Sequence, residues 1–155
     1  MKRTPPDDRD ETRYDALKLD CQLCFPLYAA AREVVKLYHP FLSELGLTYT
    51  QYIALMVFWE ERRISVRELG KRLFLDSGTL TPLLKSLEAR GYVTRERCRE
   101  DERVLIVSAT DAGMALRDRA ASIPQKVAGC VGLEAEDAAA LYRILHRLLD
   151  RFAEK

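Results

Sequence analysis

Between Thr48 and Val107 the sequence carries three helix starts and one helix stop in close succession, and these constrain the fold more than any feature of composition. Thr48 to Gln51 and Ser65 to Glu68 each fit a capping box, in which a hydroxyl accepts from the third helical amide and the later side chain reaches back. Asp76 suits the N-cap of a further helix, and Gly91 suits the left-handed position just past its end. Leu80, Leu83, Leu84 and Leu87 recur at i, i+3, i+4 and i+7, so this helix has one apolar face. Two β-favouring runs follow, Tyr92 to Cys98 and Val104 to Val107, parted by Arg99-Glu100-Asp101-Glu102-Arg103. They predict a hairpin with a charged tip.

The remaining segments are helical. Leu17, Cys21, Cys24, Tyr28, Ala31, Val35 and Tyr38 form one stripe, which predicts a first helix from about Asp20 to Tyr38, ended by Pro40 and Gly46. Tyr52, Leu55, Met56 and Trp59 predict the buried face of the second helix; Val66, Leu69 and Leu73 predict that of the third, with Ile64 as an extended link. Thr110 caps a fifth helix that breaks around Gly129 to Gly132, and the last helix carries Leu141, Ile144, Leu145, Leu148, Leu149 and Phe152. The expected fold is therefore mainly α with a small β-hairpin: a winged helix-turn-helix over about 47–108. Residues 1–13, polar and rich in Pro and Asp, are expected to be a disordered arm, and 14–155 a single domain.

A winged helix-turn-helix suits the major groove, which admits one α-helix at a time. The fourth helix turns Ser77, Thr79, Thr81, Pro82, Lys85 and Ser86 away from its leucines, short polar groups fit to reach base edges. Arg90, Arg95, Arg99 and Arg103 lie beyond it, placed to meet phosphates or a narrow minor groove. The whole chain carries a net charge of only +1, yet Arg62 to Arg103 holds eleven basic and seven acidic residues, a local +4 against −3 elsewhere. The expected partner is operator double-stranded DNA. No run of eighteen apolar residues and no signal peptide is found, so no membrane partner is expected and the cytoplasm is the expected location. Four cysteines in a reducing compartment are free thiols, metal ligands or redox centres rather than structural bridges.

The segment Ser77 to Val93 resembles the recognition helix of the MarR family, and Asp101-Glu102-Arg103 is similar to that family's wing motif. The resemblance implies a homodimer joined by helices at about 14–40 and 110–153, with Arg103 in the minor groove and Asp101 orienting it. Within the family, Leu19 to Tyr28 and Leu45 to Tyr52 resemble the organic hydroperoxide repressor branch. That likeness implies that Cys24 reacts with organic hydroperoxide as inducer, and that Tyr38 and Tyr49 hydrogen-bond its sulfur. It also implies, for the two-cysteine type, that Cys130 resolves the oxidised thiol by an intersubunit disulfide.

The residues themselves agree with this chemistry. The nucleophile toward peroxide is a thiolate, and Cys24 lies near a helix start, where the positive end of the dipole favours negative charge. Phe25, Leu27, Tyr28, Phe41, Tyr52 and Trp59 would supply apolar surroundings. Cys21 competes with Cys130 as resolving thiol, and Pro26 either loosens the turn beside Cys24 or merely ends a frayed one. Cys98 reads as a small strand residue. Three other functions use the same residues. One is release by a phenolic ligand; another is a thiol peroxidase with Cys24 and Cys130; the third is a metal sensor drawing on His39 and His146. The reading calls for no cofactor, no metal and no enzymatic turnover.

Overall fold

A computed structural model describes Tyr14–Ala153, so the expected arm at 1–13 lies outside the described residues. The chain divides into two units, Met1–Leu37 and Tyr38–Lys155. In the first, two single 3-10 turns, Asp15–Leu17 and Leu19–Cys21, precede helix α1, Cys24–Leu45. The expected helix reached back to Asp20, with Leu17 and Cys21 on its stripe. Instead Gln22 is extended at φ −92° and ψ 120°, and its side chain donates to the Ala16 carbonyl, which holds the chain out of helical register. Pro26 is consequently the third helical residue, where its missing N–H has no intrahelical partner to lose. No described residue of this unit is buried; Leu17, Leu19, Leu23, Phe25, Leu27 and Tyr28 are all exposed.

The second unit begins within α1. Pro40 was expected to break this helix but lies inside it. A proline in a helix interior costs about 3 kcal/mol, whereas burying Leu42 and Leu45, each under a tenth exposed, returns about 2 kcal/mol apiece. The helix therefore runs on to Gly46, which takes the left-handed φ of 66°. Helix α2, Tyr49–Glu61, opens on the complete Thr48–Gln51 capping box. Tyr52, Ala54, Leu55, Val57 and Phe58 are buried on it, while Met56 turns outward, contrary to its expected place in the core.

Ile64 belongs to a third strand that the sequence did not disclose: β1, Arg63–Ser65. Three residues are too few to show alternation. Helix α3, Val66–Leu73, is capped by Ser65, and helix α4, Ser77–Ala89, by Asp76. All four leucines of the α4 stripe are buried. The hairpin strands β2, Val93–Arg97, and β3, Leu105–Ala109, pair antiparallel, and β1 adds to the far edge of β3 with Ile64 opposite Val107.

Helix α5, Asp111–Ala120, was expected to continue to the Gly129–Gly132 region. It stops earlier, and α6, Ile123–Val131, has Pro124 as its second residue, which has no amide to offer the carbonyl of Ala120. Gly132 then ends α6 at φ 67°, and α7, Ala135–Ala153, closes the described chain with no buried residue. Of the glycines, Gly113 is the most closely packed. A Cβ there would overlap the Tyr92 backbone carbonyl, which itself accepts from Thr110 N at 3.0 Å, while the Gly113 carbonyl accepts from Trp59 Nε1 at 2.9 Å. Gly113→Ala is expected to destabilise the fold by about 2 kcal/mol, lowering the melting temperature by about 5 °C in a thermal unfolding scan.

Candidate functional site

The reading face follows from which side of α4 is buried. With Leu80, Leu83, Leu84 and Leu87 turned in, Ser77, Thr79, Thr81, Pro82 and Lys85 are exposed together. The start of the helix is firmly held: Asp76 Oδ1 accepts from Thr79 N at 2.8 Å, a bond that keeps the Asp76 carboxyl below its usual range. Thr81 Oγ1 donates to the Ser77 carbonyl at 2.8 Å. The turn before α4 is made by Phe74 in the left-handed region, with Leu75 N donating to Gly70 O at 2.9 Å.

Three of the expected DNA-facing residues are engaged by the protein itself. Ser86 is half-buried and accepts from Gln51 Nε2 at 3.0 Å. Arg90 donates to the carbonyls of Gly46 at 2.5 Å and Leu45 at 3.1 Å. Arg95 pairs with Glu88 at 2.5 Å, which holds the Glu88 carboxyl below its ordinary value. At the wing tip the arrangement is open. Asp101 Oδ1 accepts from Arg103 N at 3.0 Å and lies 3.6 Å from its Nε, and the Arg103 side chain is 95% exposed. Arg97 braces the tip by donating to the Glu102 carbonyl at 2.5 Å, and Arg99 projects from it.

A second cluster is aromatic. Tyr38, about two turns before the end of α1, meets Tyr49 at the start of α2 edge to face, 5.0 Å between centroids, and Tyr52 lies 5.8 Å from Tyr38. Trp59 continues the row 6.0 Å from Tyr52. Partial burial raises the pKa of all three tyrosines, and mutual proximity raises those of Tyr49 and Tyr52 further, so the hydroxyls remain donors. Phe41 stands apart from this row, with the Lys126 ammonium 5.6 Å from its centroid. Tyr52, Met56, Trp59, Arg117 and Pro124 border a cleft of about 260 Å³.

The cysteines are all free. Cys24 is exposed and is the first residue of α1; Tyr28, one turn on, is exposed with its hydroxyl 3.3 Å from Arg32 Nη1. Cys21 belongs to the preceding 3-10 turn, not to the same helix. Cys130 is exposed in the last turn of α6, and Cys98 is half-buried beside the wing. Among the described residues, no group of three or more His, Cys, Asp or Glu side chains is placed to hold a metal ion.

Comparison with known proteins assigns the arrangement. The family model for SarA/Rot transcriptional regulators matches residues 36–119. The organic hydroperoxide resistance transcriptional regulator of Bacillus subtilis is 43% identical over 145 residues, 94% of this chain and 99% of that protein. The chain belongs to the MarR/SarA family of winged-helix regulators, in its organic hydroperoxide branch. Among solved structures of the family, reduced AbfR bound to DNA is 32% identical, with a TM-score of 0.72 over 92% of this chain and 99% of that one. AbfR, a Staphylococcus epidermidis protein, is also known overoxidised on DNA and in a disulfide form, with TM-scores of 0.70 and 0.59 and coverage of 94% and 99% in each case. The protein is thus a transcriptional regulator rather than an enzyme. No helix among the described residues is long and apolar enough to cross a membrane.

Gln51 is the residue that sequence reasoning used only in part. Its capping role was legible, but its bond to Ser86, 35 positions away, was not. Two outcomes follow from this geometry. Arg103→Ala should weaken binding to duplex DNA and reduce the salt-dependence slope of a dimer by about two, one phosphate per subunit, in anisotropy titrations. The raised tyrosine pKa values disfavour the folded state only once phenolate forms. Stability from this cluster is therefore complete below the ordinary value of 10.0 and lost as pH climbs through the raised native values. Spectrophotometric titration should show a subset of tyrosines ionising above the rest.

Proposed function

We propose that the protein is a cytoplasmic homodimer that grips operator DNA while Cys24 is reduced and releases it after organic hydroperoxide oxidises that thiol. The observation that carries this reading is the position of Cys24: free, exposed and first in a 22-residue helix. Unsatisfied amides at that end favour a negative sulfur. In the assembled dimer the phenols of Tyr38 and Tyr49, kept protonated by burial, donate to the thiolate, with Tyr28 bordering the same site. The thiolate attacks the outer peroxide oxygen, the O–O bond breaks, and the alkoxide leaves as the alcohol once protonated. The sulfenic acid so formed is attacked by the Cys130 thiolate; an S–S bond forms and water leaves.

Dimerisation through helices at 14–40 and 110–153 is supported by what the single chain leaves uncovered. Leu141, Tyr142, Ile144, Leu149 and Phe152 on α7 are all exposed, as are Leu19, Leu23, Phe25, Leu27, Tyr28 and Val35 of the first unit. A second copy covers such a surface. Operator reading is assigned to Ser77, Thr79, Thr81, Pro82 and Lys85 in the major groove, with Arg99 and Arg103 at the wing and Asp101 as orienting partner.

The disulfide, rather than further oxidation, is the releasing event in this reading. Two AbfR structures of one sequence that score 0.72 and 0.59 against this chain must differ from each other, whereas the overoxidised form is bound to DNA and scores 0.70. By analogy, the crosslink, unlike overoxidation, reshapes the subunit, and in this reading the two reading heads shift with it. Half-sites lie about 34 Å apart, so a shift of a few ångströms breaks simultaneous docking. A second reading rests on the cleft beside Tyr52 and Trp59, which would take a small phenolic ligand near Arg117.

Anisotropy of an operator duplex before and after cumene hydroperoxide separates the two. Wild type is expected to lose at least a hundredfold in affinity and to recover with dithiothreitol. Cys24→Ser should not respond at all, and Cys130→Ser should form no disulfide-linked dimer on non-reducing gels. Release of Cys24→Ser by peroxide would overturn the proposal; release of Cys24→Ser by a phenol alone would favour the cleft.

A further inference from the structure

The hydrogen bonds of Arg90 have a geometry that the DNA-facing reading does not use. Helix α1 ends in a tight wrap: Leu47 N donates to Leu42 O at 2.9 Å and Gly46 N to Ser43 O at 3.0 Å. This leaves the carbonyls of Leu45 and Gly46 directed away from the helix without amide partners of their own. Arg90, the C-cap of α4, fills both, with Nη1 to Gly46 O and Nη2 to Leu45 O, and its guanidinium lies 4.8 Å over the Tyr92 ring. The fit is close: a Cβ on Gly46 would come within 2.9 Å of Nη2. One residue type makes this bond, since only arginine presents two parallel donors while stacking on an aromatic face.

A second tie runs parallel. Gln51, buried on α2, spends its Oε1 on the Thr48 amide at 3.0 Å and its Nε2 on Ser86 Oγ at 3.0 Å, one turn before Arg90. Both bonds fasten the last turn of the reading helix to the corner where α1 becomes α2. Tyr49, the first residue of α2 at that corner, meets Tyr38 about two turns back along α1.

We infer that Arg90 and Gln51 are positioning residues: they lock α4 to the α1–α2 corner, so that the reading helix follows any movement of the tyrosine pair, and Arg90 contributes nothing to DNA as a phosphate ligand. The coupling part of this inference rests on the redox reading above; the locking part does not. Without an intramolecular bond from a charged donor, α4 spends most of its time in orientations that do not dock, which weakens binding by about tenfold.

The test uses the reduced full-length chain and a fluorescent duplex selected by the wild type from a random-sequence pool. Arg90→Gln and Gln51→Leu are each expected to bind about tenfold more weakly, with the same salt-dependence slope as wild type, and Arg90→Lys to fall between. Circular dichroism melts confirm that each variant is folded at the assay temperature, and Arg90→Lys, which keeps the charge, serves if Arg90→Gln is not. A slope shallower by about one phosphate per subunit for Arg90→Gln would show a direct DNA contact and overturn the inference; so would wild-type affinity in both variants. These arms need no oxidation, so they stay decisive even if Cys24 proves insensitive to peroxide. If it is sensitive, Arg90→Gln should also narrow the ratio of reduced to oxidised affinity at an unchanged rate of Cys24 oxidation, and an unchanged ratio would overturn the coupling alone.

Discussion

Burial of the α4 leucines is the constraint on which the rest of the molecule depends. Four apolar side chains at helical spacing, all under a tenth exposed, leave only one orientation for this helix. Its outward residues are then determined to the last hydroxyl. Taking even one of these leucines out of the core costs about 2–5 kcal/mol, comparable with the whole stability of a small domain. Reading and folding are therefore the same arrangement seen from two sides. The hydroxyls of Ser77, Thr79 and Thr81 are presented outward because the opposite face cannot turn.

Electrostatics sets the other end. Helix α1 begins at Cys24, after an extended Gln22 whose side chain donates to the Ala16 carbonyl. Had the helix started at Asp20, the thiol would sit in the second turn, past the amides that favour a negative charge. In the proposed mechanism the tyrosine pair complements this arrangement. Phenols whose pKa is raised by burial stay protonated and serve as donors at any pH the cell meets. A thiolate needs stabilising groups that do not themselves carry negative charge, and these qualify.

What the sequence disclosed and what it withheld divide along physical lines. Helix caps, the α4 stripe, the Gly91 stop and the hairpin are local patterns, and Thr48, Asp76 and Thr110 cap as their spacing requires. Pro40 misled because local propensity is outweighed when Leu42 and Leu45 have a core to enter. Strand β1 is only three residues and exists because β3 offers an edge, a partner more than forty positions away. Arg90 and Arg95 looked like phosphate ligands, since basic residues near a reading helix commonly are. Their acceptors, Gly46 and Glu88, become visible only once the chain has folded. The cysteine at the helix start and the two tyrosines were legible through resemblance far more than through spacing.

The central claim, that a sulfur bridge rather than oxidation itself detaches the regulator, is most directly tested by stoichiometry. Substoichiometric cumene hydroperoxide is added to the DNA complex, and mass spectrometry counts Cys24 as thiol, as higher oxide and as disulfide to Cys130 while free duplex is measured in the same sample. The account predicts that released duplex rises in proportion to the Cys24–Cys130 bridge and falls again as a reductant removes it. Duplex set free while Cys24 remains a thiol, or retained when the bridge is complete, would contradict it.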